Sequence, residues 1–127
     1  FVKAHNIPFK MNPSFPINSL HLMRGAVAAQ HLGCFRPYVD AMMAAMWEDG
    51  ANTGDPAIVQ ALLDQSGLDG AAMLAKAEDP EVKAELVANT EKAAARGAFG
   101  VPTFFANDEI FWGKERLPQV ADALRKG

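Results

Sequence analysis

Hydrophobic positions recur with a helical period along most of this chain. Leu20, Met23, Val27 and Ala28 share one face, and Tyr38, Met42, Ala45 and Met46 share another. Local punctuation divides these stripes into helices. Asn18 or Ser19 can cap a helix from about Leu20 to Leu32, with Gly33 ending it. Pro37 suits the first turn of the next helix, which Gly50 closes. Asp55-Pro56 starts a helix with Ile58, Ala61 and Leu62 turned inward. Asp69 starts a short Ala/Met/Leu helix. Asp79-Pro80 starts a long helix to about Arg96, with Val82, Leu86 and Ala93 inward. The last helix shows Leu117, Val120, Ala121 and Leu124 at i, i+3, i+4 and i+7.

The period changes from helical to alternating in two places. Phe9-Lys10-Met11 follows Pro8 and predicts a short strand, and Asn12-Pro13-Ser14-Phe15-Pro16 predicts a loop because its prolines forbid a helix. Thr103 to Ala106 and Ile110 to Trp112 flank Asn107-Asp108, which predicts a hairpin. The remaining helices form a block between these two regions.

The stretch Gly97-Ala98-Phe99-Gly100-Val101-Pro102-Thr103-Phe104-Phe105 joins the long helix to the hairpin. Gly97 suits a helix end that needs positive φ. Val101 is held extended by Pro102. On residues alone Val101-Pro102 is a stiff turn, since most X-Pro bonds are trans. If cis, it would turn the Val101 N–H and C=O away from a regular ladder. Those groups could then pair with a ligand backbone.

Composition bounds the function. The chain has 127 residues, enough for one domain, and half of them are apolar. A net charge of -3 gives no basic surface for nucleic acid. There is one cysteine, so neither an internal disulfide nor a Cys-x-x-Cys redox motif lies in these residues; this fits a reducing compartment. No apolar run is long enough for a membrane span. His5, His21 and His31 lack metal-ligand spacing, and Cys34 follows a helix end, so it is read as structural. Met42, Met43, Met46 and Trp47 read as core; a pocket for a flat aromatic molecule would use the same residue types.

Three blocks carry a family resemblance. They are Gly97 to Phe105 with Phe111-Trp112-Gly113-Lys114-Glu115-Arg116-Leu117, then Pro8 to Pro16 with Met23-Arg24-Gly25, and Ala45-Met46-Trp47. In this order and spacing the chain resembles the 2-hydroxychromene-2-carboxylate isomerases and the kappa-class glutathione transferases, which share a DsbA-like thioredoxin fold.

The resemblance implies an α/β fold of that type, with residues 1–16 and 97–127 as the thioredoxin-like part and 17–96 as an inserted helical block. It also implies a cis Val101-Pro102 bond. Val101, Pro102, Lys114 and Glu115 would contact glutathione, Val101 through its backbone and the helix start through the γ-glutamyl end. Relatives frequently place Ser and Asp where this chain has Lys114 and Glu115. Asn12 would face the substrate, with an Asx turn as its local alternative. Arg24 reads as a structural ion-pair partner.

The implied activity is glutathione-dependent isomerisation of a small aromatic substrate in aromatic catabolism. In the family a thiolate adds to the conjugated open form, a double bond becomes single, and rotation precedes elimination. The implied setting is a cytoplasmic homodimer. The family's first βαβ unit, with its catalytic Ser or Cys, has no match in these residues, so no catalytic residue is expected among them. A glutathione transferase, a DsbA-like thiol oxidoreductase, and a truncated module that only binds or dimerises are the alternatives.

Overall fold

In a computed structural model, residues 1–126 are described. Among the described residues six α-helices and two strands follow one another in chain order: α1 Leu20–His31, α2 Phe35–Ala44, α3 Pro56–Gln65, α4 Gly70–Ala77, α5 Pro80–Ala95, β1 Thr103–Ala106, β2 Glu109–Trp112 and α6 Leu117–Lys126. The molecule is mostly helical, with a small two-stranded sheet. There are two compact units, the first spanning Phe1–Leu86 and the second starting at Val87, so the boundary falls within α5. Among the described residues no helix is long and apolar enough to cross a membrane.

In the first unit, α1 packs on α2 and α4, and α3 packs on α2 and α4. Val27, Ala28, Tyr38, Met42, Val59, Leu63, Met73 and Val82 form its core. Helix starts follow the capping signals. The Asp55 carboxylate accepts from the Ala57 N–H at 2.9 Å, and that of Asp69 from the Ala72 N–H at 2.8 Å. Helix α2 starts two residues before Pro37, with Cys34 at its N-cap and packed against the core, so Cys34 both follows one helix and begins the next. Its last turn widens into a π-type turn over Ala45–Asp49, closed by Gly50 at φ 71°.

The inward face of α3 is one residue away from the expected one. Val59 and Leu63 are buried, whereas Ile58 and Leu62 are half-buried and Ala61 is exposed. Apolar residues occupy nearly the whole circumference of α3, so periodicity leaves its face open. Contact with α4 decides it: a Cβ at Gly70 would lie 2.5 Å from the Gln60 carbonyl oxygen.

No strand forms at Phe9–Met11. The Lys10 N–H donates to the Trp47 carbonyl at 2.6 Å, and Lys10 Nζ donates to the Asp49 carbonyl at 3.1 Å. The segment thus ties itself to carbonyls at the end of the widened helix, which lack intrahelical donors. An alternating pattern is necessary for a strand, but a neighbouring strand must also supply the ladder. Among the described residues two prolyl bonds are cis, Val101-Pro102 as expected and Phe15-Pro16 in the loop that follows this segment.

Tyr38 fixes the α1–α2 contact. Its hydroxyl donates to the Leu22 carbonyl at 2.8 Å, and burial pushes its pKa up to about 12. Its ring lies on Gly25, where a Cβ would stand 2.2 Å from Oη and 2.7 Å from Cζ. Gly25→Ala gains about 1 kcal/mol in helix propensity. Overpacking against a tethered ring costs about 1–3 kcal/mol. A net loss of up to about 2 kcal/mol is therefore expected, read as a lowered melting temperature by circular dichroism. A melt equal to the parent's would mean that the ring moves aside freely.

In the second unit, β1 and β2 pair antiparallel with Thr103 opposite Trp112 and Ala106 opposite Glu109. Asn107 turns the chain at φ 55°, and its side-chain amide donates to the Ala123 carbonyl at 2.9 Å, joining the turn to α6. In α6, Ala123 is buried and Val120 and Ala121 are half-buried, while Leu117 and Leu124 are largely exposed.

Candidate functional site

The hairpin brings together residues that the sequence separates. Gly97, at φ 95°, ends α5 while Ala98 N–H donates to the Ala93 carbonyl at 3.0 Å. Four residues later the chain enters β1 through Val101-Pro102. At the far end of the hairpin, the Gly113 N–H donates to the Pro102 carbonyl at 3.0 Å, extending the register by one step. Gly113 has φ 100°, and a Cβ there would lie 3.0 Å from Glu115 Oε2, so this corner requires glycine. Lys114–Arg116 then form a 3₁₀ turn leading into α6.

Val101, Pro102, Lys114 and Glu115 consequently line one open depression of about 530 Å³, with Trp112, Gly113 and Arg116 completing it. Val101 is 92% exposed. Its amide and carbonyl have no hydrogen-bond partner among the described residues, as a backbone aligned for an incoming chain requires. Lys114 Nζ donates to Glu115 Oε1. That bond, and next the Glu115 backbone N–H, hold the Glu115 carboxyl below its ordinary range. The site therefore offers one firmly ionised, solvent-accessible carboxylate beside an unpaired backbone step.

Asn12 belongs to the first unit and is only 2% exposed. Its Nδ2 donates to the carbonyls of Met46, at 3.0 Å, and Ala51, at 2.7 Å, while Oδ1 accepts from the Ser14 N–H at 2.8 Å. Here the Asx turn is formed, and the amide is spent on the loop rather than presented to solvent. Arg24 is half-buried and lowers the Glu78 carboxyl through space, after the larger effect of Lys83.

Two groups of lining residues lay outside the expected site set. Trp112 and Arg116 line the depression with the four expected residues. In the first unit, Phe15, Met23, Phe35, Met42, Met46 and Trp47 help line an almost wholly apolar cavity of about 440 Å³. The Met and Trp spacing of α2 was the available signal for the cavity, but the same spacing also describes core.

Comparison with known proteins places these features in a family. Residues 2–125 match the family described as DSBA-like thioredoxin domain. A protein named 2-hydroxychromene-2-carboxylate isomerase from Pseudomonas sp. (strain C18) is 29% identical over 98% of this chain and 58% of its own length. One of the same name from Sphingobium xenophagum is 31% identical over 63% of this chain and 41% of its own. The solved structure of a selenomethionine 2-hydroxychromene-2-carboxylate isomerase superposes with a TM-score of 0.82 at 23% identity, covering 98% of this chain and 61% of that one. The chain thus spans about two fifths to three fifths of the length of these relatives.

Proposed function

Because this chain belongs to the DSBA-like thioredoxin domain family, we propose that it serves a glutathione-dependent isomerase acting on 2-hydroxychromene-2-carboxylate or a closely related aromatic carboxylate. Support comes from relatives of that name, one of which aligns with 98% of the chain. The single structural observation behind the reading is the meeting of an unpaired Val101 backbone with an ionised Glu115 in one depression.

These residues fit glutathione by their chemistry. The Val101 N–H and C=O would pair with the peptide at the cysteinyl residue, with Pro102 fixing the approach. Glu115 would accept from the γ-glutamyl ammonium, and Lys114, which bonds Glu115, would orient that carboxylate. When bound, glutathione supplies a thiol nucleophile. The chain's own part in the reaction is to hold that ligand in register and fix its direction, which lowers the entropic cost of the encounter. The reading carries with it a role in aromatic catabolism, a cytoplasmic setting with its glutathione pool, and a homodimer.

The test follows the ultraviolet spectrum of 2-hydroxychromene-2-carboxylate with the purified protein, with and without glutathione. Conversion that requires both protein and glutathione is expected where the chain carries the family's catalytic Ser or Cys, and none from these 127 residues alone. A protein that carries that residue, binds glutathione and leaves the spectrum unchanged would rule the isomerase reading out.

A further inference from the structure

A second depression in the same unit, about 590 Å³, is lined by Phe99, Ile110, Trp112 and Arg116 among others, and shares Trp112 and Arg116 with the first. Its volume lies within the range of small-molecule sites. Two rings stand open there. Phe99 is 75% exposed and Trp112 is 54% exposed, with centroids 5.2 Å apart and planes tilted by 47°. The indole is held in place: a Cβ at Gly100 would lie 2.5 Å from Trp112 Nε1, so the backbone packs directly on the ring edge. Beside the rings, Arg116 Nη1 donates to Gln119 Oε1 at 3.2 Å. Among the described residues no carboxylate lies within salt-bridge distance of this guanidinium, which acts on Glu115 only through space. Of the two carboxylates that line this depression, Asp122 is paired with Arg125 at 2.8 Å, and Glu109 is opposed by Lys126 and Arg116 among the other lining residues. An aromatic surface next to a guanidinium with spare donors is complementary to a planar ring bearing a carboxylate.

We propose that Phe99, Trp112 and Arg116 form a recognition site for aromatic carboxylates, with the ring against Phe99 and Trp112 and the carboxylate on the Arg116 fork. This deepens the isomerase reading and rests on it for its biological substrate. Because Trp112 and Arg116 border both depressions, a ring seated here lies beside the backbone step at Val101. Trp112 would then set which ring systems are accepted, and Arg116 would set the requirement for charge.

Binding of 2-naphthoate and its uncharged counterpart 2-naphthamide, measured by calorimetry and by the indole resonances of Trp47 and Trp112 in nuclear magnetic resonance spectra, tests the site. Naphthoate is expected to bind at least about tenfold more tightly than the amide. Arg116→Gln should abolish that preference while leaving amide binding unchanged. Trp112→Leu should weaken both, and Phe99→Leu, which removes no packed contact of the indole edge with Gly100, should do the same if Trp112→Leu fails to fold. The Trp112 indole resonance should move and that of Trp47 should not. Equal binding of acid and amide, indifference to Arg116→Gln, or movement of the Trp47 resonance alone would overturn the site. The outcomes separate it from the isomerase reading: absent turnover with naphthoate discrimination intact defeats only that reading, and turnover without discrimination defeats only this site.

Discussion

Asn12→Asp is expected to destabilise the protein by about 3 kcal/mol or more, measured by denaturant unfolding at neutral pH. The Asn12 amide donates to the carbonyls of Met46 and Ala51 from a position 2% exposed to solvent. Among the described residues no buried side-chain polar atom lacks a partner, so the network has no slack. An aspartate there places charge against two carbonyl oxygens and leaves both without a donor. Each buried unsatisfied group costs about 1–3 kcal/mol, and a charged group more. Repulsion raises the folded pKa of the new carboxyl above its unfolded value. The unfolded chain then releases that proton more readily, so the deficit is present above the unfolded pKa and shrinks as pH falls towards about 4. The same variant separates the two roles of this position. A variant of unchanged stability and lost turnover would move Asn12 from the frame of the loop to the site itself.

Much of the helical architecture was legible because its signals are local. Asp55, Asp69 and the prolines after Asp55 and Asp79 mark helix starts through bonds or fixed φ that need nothing distant. The faces of those helices were less legible. In α3 the choice between Leu62 and Leu63 depends on how closely α4 approaches at Gly70, which is tertiary information. The segment Phe9–Met11 shows the same limit. Its alternation is that of a strand, yet the Lys10 N–H and ammonium satisfy the Trp47 and Asp49 carbonyls of the widened turn after α2 because those were the available acceptors.

The candidate site was legible to the extent that a hairpin is a local structure. Once Thr103 lies opposite Trp112, Pro102 must meet Gly113, and the residues on either side converge. The family resemblance implied Val101, Pro102, Lys114 and Glu115 as a set, and the hairpin brings them to line one depression. Trp112 and Arg116 were visible in the same motif but had no assigned chemistry. An exposed ring in a short strand and a cation at a helix start are ordinary surface features in a sequence. Only their shared wall, and the lack of a direct salt bridge to Arg116 among the described residues, give them meaning.

Glu115→Ala is expected to weaken glutathione binding by about 1–3 kcal/mol, the range for a lost charged hydrogen bond. Calorimetry would read this as a roughly five- to 150-fold rise in Kd. Glu115→Gln keeps an acceptor without the charge and should fall between the two. The carboxylate is exposed, so raising the ionic strength should narrow the difference between parent and variant. Its pH dependence has a definite sign. The bond from Lys114 depresses the Glu115 pKa, so this group stays ionised from neutral pH down through the ordinary carboxylate range. The affinity it contributes should persist as pH falls from about 7 to 5 and disappear only when protonation sets in below that range. In Glu115→Ala this late loss should be absent. Affinity unchanged by the substitution would remove Glu115 from the site and leave the Val101 backbone, with Pro102 and Lys114, to carry the ligand.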